Sequence, residues 1–426
     1  MNRFSRRRFL QTGSIAVAAA VVPSASAADS AENLPPSIAS LKSMKAEAVP
    51  ITLDERKARV ERARELMAQN KLQAIAIATG SSLPYYTAVH WWLSERFFAA
   101  IIPAKGNAFF VCPAFEEGRA REQISAGPFG SDAEVRVWQE NEDPYLLVAA
   151  GLKDRGITTG VLGIEEKTPY VFSNGMALHL PAMQTASATP VTAGCRMIKS
   201  EAELNLMRLA SKVSITAYEA AYKSIHEGMT QNEFSSLVET AHSKLGFHGG
   251  ADVQVGQYSA NPHGSITPQK IVEGEIVLMD GGCSVEGYAS DISRTFVIGK
   301  PTAKMKTVFD IVYRAQSAAL STARPGLPCE AVDAAARKVI IDAGYGPGFK
   351  YFTHRLGHGM GLDGHEWPYL VPGNKTLLQA NMMFSDEPGI YIPSEFGVRI
   401  EDDMHITAEG AELLTPRSPS LEHPFG

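Results

Sequence analysis

Cysteine is scarce in this chain. Only Cys112, Cys195, Cys283 and Cys329 occur in 426 residues. They lie far apart, with no CxxC and no Cys/His zinc spacing, which excludes a disulfide scaffold or a sulfur-rich metal knot. Buried free thiols are the expectation. Residues 51–190 contain neither GxGxxG nor GxxxxGK[ST], so nothing there points to a dinucleotide or a phosphate cradle. Outside the extreme N-terminus no dense Lys/Arg block occurs. The net charge of −6 and pI near 6.0 leave no basic footprint for nucleic acid. No apolar run reaches the roughly 20 residues needed to span a membrane. What is present is ordinary soluble composition, 45% hydrophobic and 20% charged, in a chain long enough for two domains with substantial cores.

The N-terminus has a targeting pattern. Arg6, Arg7 and Arg8 precede Phe9-Leu10 and the apolar run Ile15 to Val22, and Ala25-Ser26-Ala27 offers small residues for cleavage. This resembles a twin-arginine signal, which implies residues 1–27 are removed and the folded, metal-loaded protein is exported to the periplasm. Residues 28–50, rich in Ala, Ser and Pro, are expected to be a linker or extended arm. Thr52 to Glu55 has capping-box spacing and predicts a helix to about Gln69. LQAIAIA predicts a strand, and RFFAAIIP with NAFFVCP a hairpin of buried strands. Further alternation of helix and strand makes residues 51–190 an α/β domain.

A second domain is expected over 197–415. Ser200 to Glu203 and Thr230 to Glu233 are capping boxes that open helices. Strand phrases, two more helices and a return to strands follow. The order of helices, hairpin, helices, hairpin hints at an internal duplication, with carboxylates delivered by the strands of each half. EIVLMDGG ends an apolar strand on Asp280, and Asp291 comes eleven residues later, where a returning strand would pass it. A carboxylate set in apolar surroundings must be paired or bind a cation. Taken singly, each is better explained as a turn or salt-bridge residue. Asp280, Asp291, His358, Glu387 and Glu401 together, each in a short glycine-bearing phrase of one domain, point to a metal site.

The phrases MDGG with GYASDISRTF, HRLGHGMGLDGHEWP, DEPGIYIP and GVRIEDD resemble those of the pita-bread metallopeptidases. That family includes Xaa-Pro aminopeptidases, Xaa-Pro dipeptidases (prolidases), methionine aminopeptidase and creatinase. The resemblance covers the second domain, and the layout of the first is similar to the N-terminal domain of the creatinase and prolidase branch. It implies an α+β chain: a C-terminal pita-bread domain behind an N-terminal creatinase-like α/β domain. By the resemblance, Asp280 would chelate one ion, Asp291 and Glu401 would bridge two, and His358 and Glu387 would complete the second. Four carboxylates and an imidazole form a hard set, with Mn2+ expected first and Co2+, Zn2+ or Fe2+ as alternatives. Two such ions would share a hydroxide near neutral pH and polarise the scissile carbonyl. His263 and His365 would contact substrate, His354 the pocket or a ligand, and Glu366 and Arg399 would steady the ligands. Trp367 would line an apolar slot for a proline ring.

Two features depart from the family pattern. Asp386 stands where relatives often carry a small or hydroxyl residue; it would either add negative charge beside the site or point away along the strand, the outcome that strand alternation favours. Tyr85, Tyr86, Trp91 and Trp92 replace an Asn-rich stretch. They read as core, or as a reach toward a neighbouring subunit, since the resemblance implies a homodimer or larger homo-oligomer. The expected function is di-metal hydrolysis of Xaa-Pro bonds in small peptides with proline second, leaning to the aminopeptidase or generic form. A dipeptidase needs a cation for the terminal carboxylate, for which Arg399 is one candidate. The competing expectations are a creatinase-like amidinohydrolase or lyase on the same scaffold, and a non-catalytic binding module.

Overall fold

Thr52 is extended, and its side-chain oxygen accepts the amide of Glu55 at 3.2 Å, which opens the helix Leu53–Gln69 where the sequence places it. This computed structural model describes residues 34–425, so the expected signal peptide lies outside the described residues. After the helix come β1 (Ala74–Ile77), β2 (Ala99–Pro103), β3 (Phe109–Pro113), β4 (Glu134–Trp138), β5 (Gly160–Ile164) and β6 (Met183–Ser187). They form one six-stranded sheet in the order β4-β3-β2-β1-β5-β6. β2 and β3 are the expected hairpin, paired antiparallel. Their apolar runs do not alternate because helices cover both faces. Ile75 and Ile77 pack with Val60, Leu66 and Ile124 on one side, while Ala74 and Ala76 pack with Val148, Leu152 and Phe172 on the other.

Helices Glu201–Tyr222 and Gln231–Leu245 both begin in complete capping boxes, Ser200 with Glu203 and Thr230 with Glu233. Behind them lies a sheet of β7 (His248–Val255), β8 (Ile276–Val285), β9 (Tyr288–Ala289) and β10 (Ile292–Val297), in the order β10-β8-β7 with β9 on β8. Asp280 sits in the middle of β8 and not at its end. Its apolar run stops there, but the Gly281-Gly282 pair lets the ladder continue to Val285. Helices Ala303–Thr322 and Cys329–Asp342 back a second group of strands: β11 (Gly357–Gly359), β12 (Glu366–Leu370), β13 (Met383–Asp386), β14 (Gly389–Ile392), β15 (Phe396–Arg399), β16 (Asp402–Ile406) and β17 (Ala411–Leu413). The order is β12-β11-β13-β16-β17, with β14 and β15 as a separate ribbon.

Residues 34–50 do not run free as a linker. Ile38 is fully buried among Leu206, Ala210 and Leu245, Ser37 Oγ donates to Ala220 O at 2.8 Å, and Met44 N to Leu245 O at 2.8 Å. The arm is thus part of the second domain's core. A polar knot joins the two halves of the chain. Arg59 Nη2 donates to the Tyr288 hydroxyl at 3.0 Å and lies 3.4 Å from Glu203, and Tyr288 donates to Glu203 at 2.8 Å. All four cysteines are buried free thiols, as expected. No helix of the described residues is long and apolar enough to cross a membrane.

Candidate metal centre

The two strand groups of the second domain face each other across a pocket of about 220 Å³. β8 presents Asp280, and Asp291 stands just before β10. Opposite them, β11 presents His358, Glu387 follows β13, and Glu401 follows β15. Three groups of donor atoms lie within 4.8 Å of one another: Asp280, Asp291 and Glu401; His358, Glu387 and Glu401; Asp291, His358 and His365. Asp291, His358 and Glu401 each belong to two of them. The donors are oxygen-rich with imidazole nitrogen, which fits hard or borderline divalent cations and not soft ones.

Hydrogen bonds fix the direction of each donor. His358 Nδ1 lies 3.1 Å from Gly359 O, an acceptor that places the proton on Nδ1 and leaves Nε2 facing Asp291 at 3.7 Å and Glu387 at 3.5 Å. Burial and the neighbouring His365 push the His358 pKa down to about 3, so its ring is a neutral donor. The Ser293 hydroxyl is 2.6 Å from oxygens of both Asp280 and Glu401, and it has one proton to give. Arg399 Nη2 meets Asp280 Oδ2 at 2.5 Å, its Nε donates to Ser293 at 2.8 Å, and its Nη1 donates to Pro262 O and Tyr391 OH. Burial opposes ionisation of Asp280, but Arg399 and Ser293 outweigh it and hold its pKa below the usual carboxylate range. Asp291 and Glu401 go the other way: burial, then repulsion from neighbouring carboxylates, raises both well above it. Burial lifts Glu387 to about 8, with the Asp280 charge adding to the rise. A pocket that pushes carboxylates toward neutrality is one whose charge is better balanced by cations than by protons.

The histidines take different places. His365 stacks on His358, ring centres 3.6 Å apart and planes at 20°. His263 is exposed at the rim of the same pocket. No helix forms between His354 and His358. His354 Nε2 is 2.7 Å from Tyr391 OH and its Nδ1 is 3.7 Å from Glu387. Burial and Arg399 press its pKa down to about 3. Glu366 makes its ion pairs with Arg196 and Lys199, away from the five donors. Trp367 lies outside the pocket, and its indole N–H donates to Glu166 of the first domain at 2.8 Å. Trp91 stacks on Phe98, whereas Trp92 is largely exposed with Arg119 over its ring.

Three participants lie within the quoted phrases but are not singled out there. Ser293 lies two residues past Asp291, and a period of two along β10 would have put it on the same face. Asp403 Oδ1 accepts the Asp291 amide at 3.1 Å and Oδ2 the Ser211 hydroxyl at 2.7 Å. Arg355 lines the pocket, and its guanidinium lies 4.3 Å over the Tyr369 ring. Its side chain makes no hydrogen bond or ion pair among the described residues.

The chain matches metallopeptidase family M24 over residues 205–408 and the creatinase/prolidase N-terminal domain over residues 59–198. It is 33% identical to an Xaa-Pro dipeptidase of Lactobacillus delbrueckii subsp. lactis, over 83% of this chain and 95% of that protein. Among solved structures, dipeptidase PepE from Mycobacterium ulcerans superposes with a TM-score of 0.82 at 32% identity, covering 88% of this chain and 99% of that one. A prolidase from Thermococcus sibiricus gives 0.76 at 30% identity, covering 86% and 98%. These likenesses confirm the expected α+β architecture, a pita-bread domain behind a creatinase-like N-terminal domain.

Proposed function

The chain belongs to metallopeptidase family M24 and is a hydrolase of that kind, and from this premise we propose that it splits Xaa-Pro dipeptides. Asp280, Asp291, His358, Glu387 and Glu401 would hold two divalent cations, with Mn2+ the first candidate. Such ions supply a water of lowered pKa and polarise the scissile carbonyl. His365 and His263 stand beside the cluster, where they can donate hydrogen bonds to the substrate carbonyl and to the oxyanion that develops from it. Arg399 is fully engaged with Asp280, Ser293, Tyr391 and Pro262, so it orients a carboxylate of the pocket and has little left for substrate.

Arg355 is the observation that carries the dipeptidase reading. It is a pocket-lining guanidinium whose side chain has no carboxylate partner among the described residues, held in place by Tyr369. A free terminal carboxylate is the natural complement of such a fork. This shifts the balance from the aminopeptidase form, which the sequence favours slightly, to the dipeptidase form, and the names of the relatives support the shift.

The Mn2+-loaded protein is expected to cleave Xaa-Pro dipeptides well, and Xaa-Pro amides or tripeptides poorly. Arg355→Met should raise KM for the dipeptide about 10- to 100-fold, the loss expected for a hydrogen bond to a charged group, while metal content stays the same. Equal turnover of the amide, or an unaltered KM in the variant, would remove the argument for a carboxylate anchor.

A further inference from the structure

His365 makes no hydrogen bond of its own among the described residues, yet it lies flat against His358. Its position is set from either side by two carboxylates, Asp363 and Glu366. Arg196, which ends the helix Thr189–Arg196, reaches both with one nitrogen: Nη2 is 2.7 Å from Asp363 Oδ2 and also meets Glu366 Oε2. Lys199 Nζ takes the other Glu366 oxygen at 2.7 Å and also donates to Arg196 O at 2.5 Å. Lys167 Nζ lies 2.8 Å from Asp363 Oδ2, and Ser81 Oγ donates to Asp363 Oδ1 at 2.7 Å. Between the two anchors stand only Gly364 and His365. The chain just before is equally confined, since a Cβ on Gly361 would come within 2.7 Å of Glu366 Oε1.

We propose that Arg196 and Lys199, in the segment joining the two domains, with Lys167 of the first domain, are positioning residues that staple His365 over the substrate pocket. The proposal rests on the reading of that pocket as an Xaa-Pro dipeptidase site. A plain structural role, gluing domain to domain, would need neither a nitrogen shared between the residues that flank His365 nor a spacer of two residues. Buried ion pairs are poor evidence of stability for its own sake. A histidine held only by its neighbours and by one stacking contact has no other means of keeping its angle. The first domain thereby acts on the chemistry without touching substrate.

The test uses the full, Mn2+-loaded chain with Lys167→Met, a half-exposed site, and the conservative Arg196→Lys. In both, kcat on an Xaa-Pro dipeptide should fall while KM and Mn2+ content change little, by about 10- to 100-fold for Arg196→Lys, the range for residues one step removed from a site. In a His365→Asn background the same substitutions should cost nothing further, because the staple acts only through that ring. In the Zn2+-loaded protein, whose ion is diamagnetic, the His365 ring resonances, identified as those missing in His365→Asn, should move in both variants as the stack on His358 loosens. Unmoved resonances with unaltered kcat in the folded variants, or a fully additive loss beside His365→Asn, would overturn the proposal. Should the unaltered protein turn over no Xaa-Pro dipeptide, the substrate reading fails, and the resonances alone decide the staple. If Arg196→Lys does not fold, Lys167→Met and Asp363→Asn carry the same comparison.

Discussion

Asp386 and Glu387 are adjacent carboxylates with opposite fates. Glu387 enters the pocket, while Asp386 is fully buried on the other side, with neither carboxylate oxygen hydrogen-bonded among the described residues. Burial, then the nearby Asp402 charge, raises its pKa well above the usual range. A carboxyl whose folded pKa exceeds its unfolded one stabilises fully below the unfolded value and loses that contribution as pH rises. Asp386→Asn should therefore raise the thermal midpoint relative to the parent, by a margin that widens from pH 5 to pH 7, with Mn2+ content unchanged. A margin independent of pH would show that Asp386 is ionised in the fold. At this scale the sequence is legible where one phrase carries several unusual residues together, as for His358 in HRLGHG or Glu401 in RIEDD. Arg355 and Ser293 sit inside such phrases, HRLGHG and GYASDISRTF, and are still not legible as participants. A single cation or hydroxyl has no signature until the fold shows what faces it.

At the scale of elements, β11 is only three residues long, yet it seats His358. It can do so because Gly357 lies against β13: a Cβ there would stand 2.0 Å from Ser385 O. Gly357→Ala should push β11 off its neighbour and displace His358, cutting bound Mn2+ per chain while circular dichroism keeps its helical signal. Full metal content in that variant would contradict this account of the strand. Local chemistry made other elements readable. The capping boxes at Ser200 and Thr230 and the hairpin of β2 with β3 need only neighbouring residues to form. The path from His354 to His358 was not readable, because a spacing of four suits a helix only when the backbone closes its own hydrogen bonds. Here Arg337 takes the carbonyls of Phe352 and His354, and the Leu356 amide goes to Asp333. Those partners are distant in sequence, which is why the segment's true path was hidden.

Across the whole molecule, the pocket gathers negative charge that the fold can balance by proton or by cation. Asp291, Glu387 and Glu401 all have raised pKa values, Glu387 to about 8, so on their own they favour the protonated form. Their contribution is complete below the ordinary carboxylate range and is lost as pH rises toward 8. Protein stripped by a chelator should accordingly lose thermal midpoint between pH 6 and pH 8, and added Mn2+ should abolish that loss. A flat profile for the stripped protein would place the compensating charge elsewhere.

The knot of Arg59, Glu203 and Tyr288 has a consequence for inheritance. Its members lie on the first helix of one domain, the first helix of the other, and the hairpin between Asp280 and Asp291. Exchange of the front domain with that of a relative would leave Glu203 and Tyr288 facing whatever the newcomer carries at position 59. A chimera would then disturb the hairpin even with every metal donor intact. The two domains of this chain are joined as a matched pair, and viable recombination points lie outside the span from Arg59 to Tyr288.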